Sequence, residues 1–496
     1  MANMNKTVKV TTRTNKTIEY KQQGNIAFQL LIRSQDRGQP VDLKHLMSYQ
    51  LTPVPYSIGT ADSFLAKTDK SKGFHYLTRE IQDANTPPDD KTLVIEDGNA
   101  CFHYLRVVPG NFKQISYRVF EMMSKKSSFI FSTDVYKPDS ITSMERQRRG
   151  SSQKLIIKGE NTKKPANWKI FLTNDENKEQ LIQVLFNVWK TDSFAEKVLG
   201  RQIIVICNGT AYQLQSNDGK ALTSTEITSL TSTQEETDSR VVLYAMFGRD
   251  NRYEYIRVRS PDSDIFFILL HYALQIHDVT ILFDTGTGNK KRLFNITEIA
   301  RGYTQGFSTA LMALHAFTGC DTSSAFKGIG KIKPIKTLQR APEYIPVFCL
   351  IGETWEVSVQ LFSDLESFTC AMYGFPRFNN IDELRLFLLK KKCGNSNLLT
   401  VSHNVDIASL PPCKKSLEQH IKRVNYQVAI WKRSHIANPD IPPPTEGHGW
   451  THHDGYLEPL WIDGDTLPLE LIDILEEFED SDMSDDETGG QQCLLR

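Results

Sequence analysis

The chain has 496 residues, 40% of them hydrophobic and 24% charged, which is enough for two or three domains that each bury a core. It contains no run of 18 or more apolar residues, and no apolar stretch follows the basic N-terminal residues, so we expect neither a transmembrane helix nor a secretory signal. The net charge is only −1, and the eight cysteines form no CxxC pair, which argues against a zinc ribbon and indicates reduced thiols inside a cell.

The first part of the chain changes character near Lys91. Residues 1–90 are polar and rich in turn formers, which predicts an N-terminal polar extension. After Lys91, short β-rich runs predict strands at residues 93–96, 128–132, 202–207, 254–259 and 279–283. Helical patterns lie between most of these runs, at residues 111–124, 177–190, 236–248 and 264–275. Strands that alternate with helices predict an α/β fold with a Rossmann-like, mostly parallel sheet.

The C-terminal part has a different pattern. Residues 284–296 predict a turn and a further strand, and beyond Gly302 the chain is predicted to be helical as far as Lys392. A loop-rich stretch then ends in the proline run at 441–444, and a short amphipathic helix is predicted at 468–478. Residues 470–487 contain ten Asp and Glu and no Lys or Arg, so we expect a disordered acidic tail. Without those acids and Arg496, the remaining 57 basic and 49 acidic residues are compatible with nucleic-acid binding.

Acidic residues stand where an open α/β sheet places its functional groups, at the carboxyl ends of strands. Asp97 and Asp134 end two predicted strands. Two further pairs, each spaced by two residues, follow a turn or a strand. They are Glu236 with Asp238 and Asp262 with Asp264. We expect each pair to point the same way, because alternate side chains of an extended chain share a face.

Several carboxylates that converge on one place repel each other strongly unless cations are bound. Carboxylate oxygens are the ligands that Mg²⁺ and Mn²⁺ prefer. Two such ions about 3.5–4 Å apart can activate water and stabilise the leaving oxygen in phosphodiester hydrolysis. A single Asp after a strand is more often a turn residue or a helix cap, so this prediction depends on the coincidence of several.

Residues 314–338, LHAFTGCDTSSAFKGIGKIKPIKTL, form the most specific pattern in the chain. They resemble the helix–hairpin segment of flap-endonuclease/XPG-type nucleases. The resemblance implies that Asp321 is a metal-site carboxylate, and that Gly328-Ile329-Gly330 holds the backbone of a duplex beside a monovalent cation such as K⁺. Glycine suits this role because it allows backbone N–H groups to approach phosphate closely. The lysines around the turn would add positive charge; they are Lys327, Lys331, Lys333 and Lys336.

The other motifs of that family follow in order along the chain. VIEDGNACFHYL (94–105) resembles the first-strand motif and FSTDVYKPDSITSMERQRRG (131–150) the second. QEETDSR (234–240) resembles the Glu-x-Glu/Asp motif and SPDSD (260–264) the Asp-x-Asp motif. The resemblance implies that three arginines after the second motif face the scissile phosphate. They are Arg146, Arg148 and Arg149.

The sequence also departs from the family pattern. About 90 residues precede Asp97, and the Lys expected one to two turns after Asp134 is missing. Thr322 stands where a Tyr is usual, and the register of the Glu236 motif could slip to Glu235. The chain therefore resembles a divergent PIN-like relative, and its layout is also similar to transposon-associated animal proteins.

The resemblance implies a layout and two possible functions. The predicted layout is an N-terminal extension (1–90), a PIN-like nuclease core (91–340), a helical and loop-rich region (341–467) and the acidic tail (468–496). The first function is Mg²⁺- or Mn²⁺-dependent hydrolysis of nucleic acid in the nucleus, with DNA favoured over RNA and two ions bound. The alternative is a catalytically inactive scaffold of mobile-element origin that binds nucleic acid or protein. We expect no membrane partner.

Overall fold

The computed structural model describes residues 7–11, 17–21, 42–150, 152–393 and 407–472. It contains the following strands: β1 Thr7–Thr11, β2 Thr17–Lys21, β3 Thr92–Asp97, β4 Ser128–Ser132, β5 Ile203–Cys207, β6 Thr210–Gln215, β7 Thr223–Glu226, β8 Tyr255–Arg259, β9 Thr280–Thr285, β10 Arg292–Asn295, β11 Trp450–His453 and β12 Tyr456–Pro459.

The α-helices of the described residues lie on both sides of the longest sheet and beyond it. They are α1 Leu43–Met47, α2 Ser71–Thr78, α3 Gly98–His103, α4 Phe112–Met122, α5 Ile141–Arg149, α6 Trp168–Phe171, α7 Asp175–Trp189, α8 Ala195–Val198, α9 Thr237–Asp250, α10 Ser263–Tyr272, α11 Ile296–Arg301, α12 Gln305–Phe317, α13 Ile332–Arg340, α14 Ile345–Leu350, α15 Val359–Tyr373, α16 Ile381–Cys393 and α17 Lys414–Trp431.

An eight-stranded sheet forms the centre of the fold, in the order β10-β9-β8-β3-β4-β5-β6-β7. The five central strands, from β9 to β5, pair in parallel, and the outer strands β10, β6 and β7 pair antiparallel. The α/β, mostly parallel fold predicted from the alternation of strands and helices is confirmed. The predicted strands and helices between residues 93 and 296 all correspond to elements of the structure, with ends shifted by a few residues.

The two faces of the sheet are covered by different helices, because alternate residues of each parallel strand point to opposite sides. Ile95 of β3 belongs to a large apolar cluster that continues into α9, α10 and α12. Val94, its neighbour in the strand, belongs to a second cluster shared with α3, α4 and α7. Strands β3, β4, β5 and β9 are therefore buried on both faces, whereas β8 is fully buried on one face and partly exposed on the other.

The segment before the sheet, residues 42–78, also packs against this core. Helix α2 buries Phe74, whose ring makes edge contacts with Phe266 of α10, Phe283 of β9 and Phe294 of β10. Aromatic pairs of this kind contribute more than their buried area alone. The packing fixes the N-terminal end of α2 beside the carboxyl edge of the sheet.

One element corrects the sequence analysis. The stretch after Lys392, predicted as loop-rich, contains the 18-residue helix α17. Its buried residues include polar ones such as His420, Arg423 and Asn425, so the apolar stripe that would identify a helix is interrupted. His420 lies within hydrogen-bonding distance of the carbonyl of Phe317 (2.9 Å), which ties α17 to the end of α12.

Most of the predicted acidic tail, residues 473–496, lies outside the described residues. Among the residues that the structure does describe, we find no helix with the length and apolar character needed to cross a membrane.

Candidate metal centre

Two carboxylates stand at the ends of neighbouring parallel strands. Asp97 is the last residue of β3 and caps α3, accepting a hydrogen bond from the amide of Ala100 (2.9 Å). Ser260 donates a second hydrogen bond to the same carboxylate (2.8 Å). Asp134 follows β4 and accepts from the amide of Thr237, the first residue of α9 (2.8 Å). Main-chain donors therefore hold both side chains at the carboxyl edge of the sheet.

The two spaced pairs reach the same place by a route different from the expected one. Glu236 and Asp262 each stand one residue before a helix, and Asp238 and Asp264 lie in the first turn that follows. The pairs therefore converge as helix N-termini and not as alternate residues of an extended chain. Asp262 caps its own helix, accepting from the amide of Asp264 (2.8 Å).

Asp321 follows α12 and completes the group. Six of the seven predicted carboxylates line one cavity of about 370 Å³. They are Asp97, Asp134, Glu236, Asp238, Asp262 and Asp321. Asp264 is almost fully buried beside this cavity (5% exposed), and one of its oxygens lies within 4.8 Å of one oxygen each of Asp238 and Asp262. The structure thus brings together all seven acidic residues singled out in the sequence.

The contacts of Glu235 show which of the two adjacent glutamates, Glu235 or Glu236, belongs to the acidic cavity. Glu235 points away from the cavity and pairs with Arg146 (2.8 Å), while Ser140 donates a hydrogen bond to it (2.8 Å). Glu236 lines the cavity, whereas Glu235 is not among the residues that line it.

Lys70, from the segment before the sheet, is a member of the centre that the sequence analysis missed. Its ammonium nitrogen lies 2.9 Å from a carboxylate oxygen of Asp262 and 3.2 Å from oxygens of Asp264 and Asp321. Nothing in the polar stretch around Lys70 distinguishes it from a solvated lysine. It became recognisable only once the fold placed the start of α2 beside the sheet.

The carboxylates titrate in opposite directions according to their neighbours. Burial, together with the charge of Asp134, raises the pKa of Asp97 to about 7. Burial and the surrounding carboxylates also raise the pKa values of Glu236 and Asp238. Although burial alone would raise it, the charges of Lys70 and Arg149 lower the pKa of Asp321 to about 2. Without a further cation, the surroundings of Asp97, Glu236 and Asp238 therefore disfavour their ionised forms.

The donor set fits a hard divalent cation. Asp238, Asp262 and Asp264 offer one oxygen each within 4.8 Å of one another, and oxygen-only ligand sets suit Mg²⁺ or Mn²⁺. The ammonium of Lys70 stands among oxygens of the same group and acts as a stand-in cation. A cluster of partly buried carboxylates that holds the ammonium of a lysine has the electrostatic character of a metal site.

His315 of α12 forms a hydrogen bond with the buried carboxylate of Asp264. Its Nε2 lies 2.8 Å from the Asp264 carboxylate, and its ring stacks on Phe267 with centroids 4.1 Å apart. Burial lowers the pKa of His315 well below its usual value, so the ring is neutral and donates its Nε2 proton to Asp264. Such outer hydrogen bonds orient the ligands of many metal sites.

The three arginines predicted to face a phosphate have different surroundings. Arg146 lines the cavity but pairs with Asp175 (2.7 Å) and Glu235. Arg149 lines the cavity, pairs with Asp321 (3.3 Å) and is 56% exposed. Arg148 pairs with the buried Glu145 (2.7 Å) and is not among the residues that line the cavity.

The Gly-Ile-Gly hairpin presents an open backbone. Gly328 has a φ of 75°, which favours glycine, and a Cβ added at Gly328 or Gly330 would meet no atom within 4 Å. Lys327, like Lys333 and Lys336 in the next helix, is exposed. The hairpin lines a cavity of about 670 Å³ that Lys67 also lines, and the amine of Lys67 donates to the carbonyl of Asp321 (2.6 Å).

Lys331 differs from the expected phosphate contact. It is buried (2% exposed), and its amine donates to the carbonyls of His315 (2.6 Å) and Gly319. Burial lowers its pKa to about 7. In this position the side chain ties the loop after α12 to the start of α13, and it cannot reach a ligand at the surface.

We expect Lys331→Ala to lower the free energy of unfolding by about 2–4 kcal/mol, because it leaves a cavity and two buried carbonyls without their donor. Urea unfolding measures this loss. Lys333→Ala is the matched control, since an exposed lysine two residues away should change the value by less than about 0.5 kcal/mol. Equal stability of the two variants would contradict a structural role for Lys331.

No family model matches the sequence, and no curated protein matches it either. Among solved structures, the bacteriophage T5 D15 flap endonuclease in a pseudo-enzyme-product complex with DNA and metal ions is similar over 69% of this chain and 99% of its own, with 12% identity and a TM-score of 0.29. The T5 D15 protein co-crystallised with metal ions covers 68% of this chain and 99% of its own, with 11% identity and a TM-score of 0.29. The centre is therefore assigned from its own geometry.

Proposed function

We propose that the protein is a divalent-metal-dependent phosphodiesterase that cleaves nucleic acid. The observation that carries this proposal is the convergence of seven carboxylates, from five separate places in the chain, on one edge of a parallel sheet. So many partly buried acids destabilise a protein that has no use for them, and divalent cations offset their repulsion.

The residues of the centre have distinct roles in this proposal. Asp238, Asp262 and Asp264 would hold one ion, and Asp97, Asp134 and Glu236 lie where a second could be shared. Bound Mg²⁺ or Mn²⁺ would supply an activated water and stabilise charge on the leaving oxygen. Arg149, exposed at the rim of the cavity, would hold the phosphate, whereas Arg146 and Arg148 position the surrounding loops through their carboxylate partners.

The hairpin beside the centre supports a nucleic-acid substrate. Its open glycine backbone can approach a phosphate closely and is also where a bound K⁺ would lie, and its exposed lysines are Lys327, Lys333 and Lys336. Contacts of this type recognise backbone and not base sequence. We place DNA before RNA, and the nucleus as the site of action, on the family resemblance of residues 314–338.

Lys333→Ala combined with Lys336→Ala should weaken binding of all DNA sequences alike, by about fivefold to tenfold at low salt, because two phosphate contacts are lost. The slope of log affinity against log salt should fall by about 2. Fluorescence anisotropy with labelled duplexes of different sequence measures both quantities.

A matched control removes the same charge elsewhere. Lys390 and Lys392 are exposed at the end of α16, and their double replacement by Ala should leave affinity within about twofold. A loss confined to some sequences would indicate base readout and contradict the proposed role of the hairpin.

An inactive scaffold is the second candidate, and a specific observation favours it. Lys70 already pairs with three of the carboxylates, and Arg146, Arg148 and Arg149 all have acidic partners. A centre balanced in this way can persist as structure without ions. Against this candidate stand Asp97, Glu236 and Asp238, because burial and then neighbouring carboxylates raise their pKa values and disfavour their charged forms unless a cation is bound.

Cleavage of labelled nucleic acids tests the proposal. The panel contains linear single strands, duplexes and branched flaps, in DNA and RNA, each incubated with Mn²⁺ or with a chelator. We expect cleavage of at least one substrate with Mn²⁺ and none with the chelator. Intact substrates throughout, with binding retained, would favour the scaffold.

A further inference from the structure

Lys70 reaches the centre from a part of the chain that the motifs do not include. It is the residue just before helix α2, whose position is fixed by the packing of Phe74 on Phe266, Phe283 and Phe294. The backbone near Lys70 is therefore anchored, so a movement of the ammonium must come from rotation of the side chain. Its ammonium contacts carboxylates from two separate places, the start of α10 and the loop after α12.

The contacts of Lys70 overlap with those open to a metal ion. The oxygens of Asp262 and Asp264 belong both to the Lys70 ion pairs and to the group, with Asp238, that can hold a divalent cation. A bound divalent ion lies about 2.0–2.2 Å from its carboxylate oxygens. If the Lys70 ammonium stayed 2.9–3.2 Å from the same carboxylates, it would lie close to the divalent cation. The two positive charges would repel each other strongly inside a partly buried cavity.

We propose that Lys70 is a tethered cation that competes with the divalent ion for Asp262 and Asp264. This inference rests on the proposed function, because it concerns the ion of the same centre. In the absence of metal, the ammonium pairs with these carboxylates, reduces their mutual repulsion and stabilises the fold. When an ion binds, the ammonium leaves the two carboxylates while α2 stays in place. Each ion therefore binds with a lower affinity than the carboxylates alone would give it.

Titration of Mn²⁺ by calorimetry tests the competition. Lys70→Met removes the charge while keeping most of the side-chain length, and it should bind Mn²⁺ about tenfold or more tightly than the wild type. Without metal, the same variant should have the lower Tm, because the carboxylates repel each other uncompensated. Lys70→Arg, which keeps the cation, should stay within about threefold of the wild-type affinity.

Lys72 supplies the matched control. It is exposed on the same helix, so Lys72→Met removes an equal charge two residues away and should leave Mn²⁺ affinity within about twofold of the wild type. An affinity of Lys70→Met equal to or weaker than that of the wild type would overturn the inference, since a lysine that merely positions the ligands would help the ion. Absence of Mn²⁺ binding in both wild type and variant would overturn the metal-dependent function as well.

A second measurement uses the wild-type chain and does not depend on the folding of a variant. Acetylation of Lys70 by a lysine-reactive ester, measured by mass spectrometry against Lys72, should be slow in a chelator and faster in saturating Mg²⁺. The reason is that release from the carboxylates exposes the amine. An unchanged ratio of the two acetylation rates would overturn the inference.

Discussion

Asp97→Asn and Asp262→Asn should each reduce Mn²⁺-dependent cleavage by about 10³-fold or more, because each removes a charged oxygen from the centre that holds the ions. Asn is the informative substitution at both positions. Asp97 caps α3 and Asp262 caps α10 through a side-chain oxygen that Asn retains, so the helices should persist. Single-turnover cleavage of the best substrate of the panel measures the effect.

Measuring the nucleic-acid affinity of these variants distinguishes a loss of catalysis from a loss of folded structure. Affinity should stay unchanged or rise by up to about threefold, because each variant removes negative charge facing the phosphate. Asp139→Asn, at an exposed aspartate that does not line the cavity, is the control and should cleave at the wild-type rate. Wild-type cleavage by both Asp97→Asn and Asp262→Asn would mean that the carboxylates are structural.

The second large effect concerns stability without metal. The raised pKa of Asp97 means that the folded chain binds a proton between pH 3.8 and about 7, where the unfolded chain has lost it. The wild type therefore loses stability as the pH rises through this window, and the penalty is complete above pH 7. Asp97→Asn has no such proton. The difference in free energy of unfolding between this variant and the wild type should therefore be about 2–3 kcal/mol more favourable to the variant at pH 8 than at pH 5.

Urea unfolding in a chelator, at both pH values, measures this difference. Comparison of variant with wild type cancels the titration of groups that do not interact with Asp97, including the buried histidines. Asp139→Asn should show no such dependence on pH. An Asp97→Asn stabilisation that is equal at pH 5 and pH 8 would mean that ionisation of Asp97 carries no penalty in the folded chain.

The sheet and the acidic edge were predictable because both depend on local patterns. Buried strands such as residues 128–132 read as short apolar runs, and parallel strands bring their carboxyl ends to one edge wherever they lie in the sequence. The convergence of Asp97 and Asp134 follows from that topology. The ordered motifs then pointed to Asp321, although no local pattern connects it with the others.

The balance of charge in the centre could not be predicted. The pairs of Lys70 join residues almost 200 or more positions apart, and a lysine in a polar stretch carries no sign of such a partner. The prediction that Lys331 contacts phosphate was wrong for a related reason. A lysine in a basic segment is expected to be exposed, whereas the amine of Lys331 is buried and donates to two carbonyls. Helix α17 was not predicted, because its buried face includes polar side chains such as Arg423.

Anomalous diffraction from crystals grown with Mn²⁺ tests most directly whether the carboxylate cluster is a metal centre. We predict an anomalous peak for a Mn²⁺ ion that is coordinated by oxygens of Asp238, Asp262 and Asp264. The ammonium of Lys70 should no longer contact Asp262 and Asp264. A cavity without an anomalous peak at saturating Mn²⁺, with Lys70 still paired to these two carboxylates, would contradict it.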